Sequence, residues 1–171
     1  FAKKYHIPYI RTNSVNTLKI KSFLQDLEPD ILFILGWSEI LDNEIINIVK
    51  KYVIGSHPSD LPYGAGRAPI PWTILEDLRK SAVSFFYATS KVDGGDILLK
   101  REFGIPLNIN SEILYDIVAH ELSEGFIEIY FNIKENRLVS CKQDLSKRIV
   151  RRKRIYEDGL IDFNQSVRLI D

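Results

Sequence analysis

The 171-residue sequence has one cysteine and no methionine. The single thiol, Cys141, excludes an intrachain disulfide and a cysteine-rich zinc site, and it suits a reducing compartment. Methionine is absent even from position 1, where Phe1 stands, so we expect a chain that lacks its natural start. No apolar run approaches the ~20 residues that a membrane helix needs, and no signal peptide is recognisable. A cytoplasmic protein with no membrane partner is therefore expected. Acidic and basic side chains balance at 23 each, so no global field recruits nucleic acid. Repeats and low-complexity tracts are also lacking. What is present is 45 % apolar and 27 % charged residues, an ordinary globular composition. The length suits one domain that buries about 70 % of its extended-chain surface.

Periodicity gives an α/β reading. Residues 2–6 read as the tail of a helix and residues 7–10 as a short strand. Leu18, Ile20, Phe23, Leu24 and Leu27 are spaced as a helix face over residues 17–27, with Asn16 as the cap. The run Ile31-Leu32-Phe33-Ile34-Leu35 reads as a parallel strand buried on both faces. A helix over 42–51 and a strand over 52–54 follow. This order predicts a largely parallel sheet with flanking helices, with ligands beyond the carboxyl ends of the strands. A helix over 71–79, strands over 82–88 and 97–103, and a long amphipathic helix from Ser111 to about residue 132 complete the pattern. From residue 138 the chain is polar and irregular, and Lys147 to Arg154 make it locally basic.

Two stretches could carry chemistry. Gly55-Ser56-His57-Pro58 puts a histidine at a strand's carboxyl end, its backbone restrained by proline. Such an imidazole suits proton transfer or oxyanion stabilisation; it equally suits capping a turn. Val92-Asp93-Gly94-Gly95-Asp96 puts two carboxylates on a glycine-rich bend. The bend alone explains these residues, and a carboxylate beside His57 would orient the ring. Local sequence does not choose between Asp93 and Asp96. The loop between carries Pro62, Gly64, Gly66, Arg67, Pro69 and Pro71; it reads as a surface crossover or as a stiffened substrate-contacting loop. His6 and His120 have weaker settings. The basic cluster reads as a solvated face, with a phosphate or RNA contact as the second option.

The combination resembles a known family. His57-Pro58-Ser59-Asp60-Leu61-Pro62, then Gly66-Arg67-Ala68-Pro69-Ile70-Pro71-Trp72, then Val92-Asp93-Gly94-Gly95-Asp96-Ile97-Leu98, is similar to the formyltransferases that use 10-formyltetrahydrofolate. These act on glycinamide ribonucleotide, methionyl-tRNA or amino sugars. Glu157-Asp158-Gly159-Leu160-Ile161-Asp162-Phe163 resembles a stretch of the tRNA and sugar enzymes. The resemblance implies that His57 and Asp93 are catalytic: the histidine stabilises an oxyanion, and the aspartate holds it and assists proton removal. It implies that main chain around Ser38, Ile40 and Leu41 and around the bend from Thr89 through Val92 to Asp93 holds the folate. No metal is implied. The family's catalytic asparagine, two positions before the histidine, is replaced by Gly55.

The resulting expectation is a Rossmann-like formyltransferase domain over 1–137, lacking its first β-α-β portion, with a basic extension or linker over 138–171. It would move a formyl group from 10-formyltetrahydrofolate to a primary amine, that of a nucleotide-linked amino sugar. Methionyl-tRNA is the second acceptor. A folate-binding module weakened by Gly55, or a tRNA-binding protein, are the readings from other classes.

Overall fold

The computed structural model describes residues 1–167; residues 168–171 of the expected extension lie outside the described residues. Helix α1 (Leu18–Leu27) buries Ile20 and Leu24. Thr17 caps it, its hydroxyl accepting from the Ile20 N–H at 3.3 Å. Asn16, expected as the cap, is drawn elsewhere. Its carboxamide donates to the Ile40 carbonyl at 2.8 Å and accepts from the Asp42 N–H at 2.9 Å. A carboxamide can bridge a main-chain donor and an acceptor at once; a cap needs only an acceptor.

Strand β1 (Ile31–Ile34) is followed by α2 (Asn43–Ile48), which Asp42 caps, and by β2 (Tyr52–His57). A two-residue strand β3 (Ala65–Gly66) precedes α3 (Pro69–Leu75). Helix α3 starts two residues earlier than expected, because Pro69 takes the first helical position, where the missing N–H has no partner to lose. It stops early because Asp77 adopts a left-handed conformation. Strands β4 (Lys80–Tyr87) and β5 (Ile97–Gly104) lead into α4 (Ser111–Lys134), capped by Asn110 rather than Ser111. Strand β6 (Val150–Arg151) lies in the C-terminal segment. Residues 7–10 form no strand and residues 2–6 form a turn that ends in left-handed His6.

Among the described residues the main sheet has the order β1-β2-β4-β5. Only β1 and β2 are parallel; β2·β4 and β4·β5 are antiparallel. The sheet is therefore mixed rather than mostly parallel. The strand–helix alternation up to residue 54 carries a parallel signal. The crossover over 58–79 then returns the chain beside the carboxyl end of β2, so that His57 faces Ser84 and Ile54 faces Tyr87. Among the described residues β1 is an edge strand and only half-buried, though it is packed on both faces as expected, with Ile31 and Phe33 against one cluster and Leu32 and Ile34 against the other.

Helices cover both faces. On one, Ile54, Val83 and Phe85 pack against Leu114, Val118 and Ile129 of α4 and Ile70 of α3. On the other, Val53 packs with Ile20, Leu24, Leu41 and Ile45. Each such fully buried aliphatic side chain contributes about 1.5–3 kcal/mol. Beyond the reach of α1 and α2, the second face is covered by the loop after β2, where Leu61, Ala65 and Phe86 cluster. His57, Gly55, Ser84 and Phe86 share this face. No helix among the described residues is long and apolar enough to cross a membrane.

Candidate active site

The carboxyl end of β2 is folded back on itself. The Ser59 N–H donates to the His57 carbonyl at 2.9 Å, and the Leu61 N–H to the Ser59 carbonyl at 3.0 Å. Ser84, opposite His57 and wholly buried, completes the turn. Its hydroxyl donates to the Ser59 carbonyl at 2.7 Å and accepts from the Leu61 N–H at 3.2 Å.

This turn leaves His57 only 8 % exposed. Its Nε2 lies 3.0 Å from the Gly64 carbonyl oxygen. A carbonyl can only accept, so this contact assigns the proton to Nε2. Nδ1 lies 3.9 Å from Asp93 Oδ2. That separation is too long for a hydrogen bond and short enough for an imidazolium and a carboxylate to interact. The same carboxylate oxygen accepts from the Gly66 N–H at 2.8 Å. The structure thus brings His57 and Asp93 to one place. Asp96 instead starts β5 through its main chain, accepting from the Tyr87 N–H at 3.0 Å.

The bend that carries Asp93 is tightly drawn. Asp93 itself has a left-handed backbone, with φ of 46°. A Cβ on Gly95 would sit 1.7 Å from the Tyr87 carbonyl oxygen, so only glycine fits there. Side chains from the C-terminal segment then hold the bend. Gln143 Nε2 donates to the Asp93 carbonyl at 2.9 Å and the Gly95 carbonyl at 2.5 Å, and the Arg148 guanidinium donates to the Val92 carbonyl. Cys141 pairs with Ile97 through two 2.8 Å bonds, and β6 pairs with β3. Sequence reasoning missed Gln143, which stands on an irregular segment with no periodicity to read, and read Arg148 only as part of a solvated basic face.

Beside Gly55 there is no void. A Cβ there would lie 2.9 Å from Phe86 Cζ and 3.0 Å from Cε2. Ser56 points to the opposite face, its hydroxyl donating to the Ile34 carbonyl at 3.4 Å.

The basic segment is largely engaged with the protein itself. Arg151 pairs with Glu76, Arg152 with Asp158 and Lys147 with Asp144. Arg154 donates to the Asp158 carbonyl at 2.6 Å. Hydrogen bonds from Arg152 and then from the Ile155 N–H hold the Asp158 carboxyl well below the usual range. The guanidinium groups of Arg151, Arg152 and Arg154 also lie 5.6–5.9 Å from the Trp72 ring centre.

The chain matches the Formyl transferase family model over residues 2–130. It belongs to that family. It is 31% identical over 170 residues to the methionyl-tRNA formyltransferase of Sulfurihydrogenibium sp. (strain YO3AOP1), covering 99% of this chain and 55% of that protein. It is 30% identical over 165 residues to the bifunctional polymyxin resistance protein ArnA of Wigglesworthia glossinidia brevipalpis, covering 95% of this chain and 25% of that one. Its fold matches the N-formyltransferase from Helicobacter canadensis, solved with folinic acid and dTDP-3-aminofucose, at a TM-score of 0.76 and 23% identity, covering 99% and 59% of the two chains. The chain thus spans about half the length of the methionyl-tRNA formyltransferase and a quarter of ArnA.

The remaining residues singled out in this formyltransferase chain fall on two segments. Ser38, Ile40 and Leu41 follow β1, and Thr89 and Val92 lie on the bend after β4. Leu41 and Ala88 share one apolar cluster, which sets the two segments side by side. Leu41 faces inward, so only its main chain can meet a ligand; Ser38, Ile40, Thr89 and Val92 are exposed. His6 and His120 are exposed and remote in sequence from this arrangement. A wide cleft of about 810 Å³ lies between residues 10–15, α1 and Trp37. A second cavity of about 390 Å³ borders Ser59, Gly64, Trp72 and Arg151. Neither is lined by His57 or Asp93.

Proposed function

We propose that this chain carries the catalytic centre of an enzyme that transfers a formyl group from 10-formyltetrahydrofolate to a primary amine. The carrying observation is the convergence of His57 and Asp93, 3.9 Å apart, on a bend whose conformation only glycine permits at position 95. The segments after β1 and β4 suit the folate. They carry the half-exposed apolar side chains Ile40 and Val92, which suit packing against a flat heterocycle. The folate supplies an activated formyl carbon.

The chain's own residues divide the remaining work. His57 is placed to hold the negative charge that gathers on the formyl oxygen as the amine adds. Its Nε2–H here meets the neutral Gly64 carbonyl. A charged oxygen competes well for that proton, because charge-assisted hydrogen bonds are roughly twice as strong as neutral ones. In this reading Asp93, beside the Nδ1 edge of the ring, orients the imidazole and receives the proton that the amine loses. Gly55 contributes no amide, so the charge falls to His57 and neighbouring main chain.

We favour a nucleotide-linked amino sugar as the acceptor. Two of the arginines that would otherwise recommend tRNA, Arg151 and Arg152, are paired with Glu76 and Asp158. Net charge is zero, which gives no long-range attraction for a polyanion. Methionyl-tRNA is the second reading, favoured by sequence relatives such as the Sulfurihydrogenibium enzyme.

The test is folate product release by the full-length protein with 10-formyltetrahydrofolate and a panel of amines. Transfer to a nucleotide-linked amino sugar, lost in His57→Ala and in Asp93→Ala, is expected. Folate binding without turnover on any amine would replace this reading with the binding-module one. Turnover on methionyl-tRNA alone would replace the acceptor.

A further inference from the structure

We propose that Gln143 is a positioning residue that fixes the Asp93 carboxylate against His57. The proposal rests on the formyltransferase reading for its catalytic consequence, though not for its geometry. Three carbonyls within four residues of the bend, those of Val92, Asp93 and Gly95, accept from side chains of residues 143–148. Gln143 spends both hydrogens of its amide here, one on Asp93 and one on Gly95. The opposite amide orientation would set its oxygen against two carbonyl oxygens, so the orientation is fixed.

The far end of the carboxylate is held through the same segment. Asp93 Oδ2 accepts from the Gly66 N–H, and Gly66 is paired with Arg151. The Arg67 N–H donates to the Arg151 carbonyl at 3.0 Å. Residues 141–151 thus hold Asp93 at its backbone directly and at its side chain through Gly66. An apolar side chain at this position would leave the Asp93 and Gly95 carbonyls without these two donors.

The experiment uses the full-length protein and Gln143→Leu, which keeps the bulk and removes both donors. Two readouts are made. Amide hydrogen exchange at Gly66, followed by NMR, is expected to quicken by about tenfold or more as the carboxylate leaves that N–H. With an active parent, kcat is expected to fall about 10- to 100-fold with KM for the amine within about twofold, the scale of a misplaced reacting group. In an Asp93→Asn background, measured in single turnover, Gln143→Leu is expected to add no further loss. If Gln143→Leu does not fold, Gln143→Asn keeps the amide and shortens its reach, and the same readouts apply. Unchanged Gly66 exchange overturns the proposal. So does an equal loss of kcat in the Asp93→Asn background, which would mean that Gln143 acts independently of Asp93. A parent with no turnover on any amine, whose Gly66 exchange still quickens in the variant, sinks the formyltransferase reading and leaves the positioning of Asp93 upheld.

Discussion

Replacing Gly55 with asparagine restores the residue expected by family resemblance and, by the packing seen here, destabilises the protein. The new Cβ would lie 2.9 Å from Phe86 Cζ, well inside the ~3.5–4.0 Å at which carbon atoms attract. The ring has no room to swing: Phe86 is 6 % exposed and packs with Leu61 and Ala65. The register β2·β4 sets Gly55 directly opposite Phe86, so the conflict cannot be relieved by a small slide of the strand. Overpacking of this kind costs about 1–3 kcal/mol, and an amide buried without partners adds about 1–3 kcal/mol. A domain of this size loses roughly 2–4 °C of Tm per kcal/mol, so the expected drop is on the order of 10 °C. Phe86→Ala alone costs about 3–5 kcal/mol. In Gly55→Asn with Phe86→Ala, the asparagine occupies space that the ring vacates. The pair should therefore couple favourably by ~1 kcal/mol or more. Urea unfolding of the parent, both single variants and the double variant measures this cycle. Additive costs, or Gly55→Asn melting with the parent, would refute the reasoning. If the missing amide also limits the rate, the folded double variant gains up to ~10²–10³ in transfer, the usual weight of one oxyanion donor.

Two further outcomes follow from the same geometry. Gly95→Ala puts a Cβ 1.7 Å from the Tyr87 carbonyl oxygen, so the bend must open, at about 3–5 kcal/mol in urea unfolding; a variant as stable as the parent would show that the bend has another conformation open to it. Glu39 gives a pH dependence. Hydrogen bonds from the Ser14 hydroxyl and then the Val15 N–H, both at 2.7 Å, lower its pKa on folding. Its contribution is therefore present above the unfolded carboxylate value of about 4.3 and lost as pH falls through the lower folded value. The Tm gap between parent and Glu39→Gln should be full at neutral pH and close on acidification; a gap constant with pH would contradict it.

Much of the fold was legible because burial writes itself into period. The unbroken run at β1 and the i, i+3, i+4 spacing of Leu114, Ile117 and Val118 each name their element. The direction of β4 was not legible. Its six buried residues Ser81 to Phe86 look the same in a parallel or an antiparallel centre, and the choice depends on which end of β2 the crossover reaches. Asp93 and Asp96 were indistinguishable in sequence, since both sit on a glycine bend; a left-handed backbone at Asp93 and a strand hydrogen bond at Asp96 separate them. Phe86 as the occupant beside Gly55 required the strand register. Gln143 required a contact across 50 residues to Asp93, made by a side chain whose neighbours show no pattern.

The separation of His57 from Asp93 is set by neither residue. The Gly64 carbonyl holds the imidazole and the Gly66 N–H holds the carboxylate, so the two partners stand on a three-residue rung of one loop. Between them lies Ala65, wholly buried, in the same cluster as Leu61 and Phe86. Phe86 therefore packs Gly55 on one side and supports the rung on the other. Any substitution that displaces its ring must disturb Ala65, and with it the spacing of the proton-handling pair. Gly55→Asn should accordingly lose more activity than its unfolded fraction accounts for. Transfer rates per folded molecule, measured well below the melting transition, decide the point: a rate equal to the parent's would mean that the ring moves without carrying the rung.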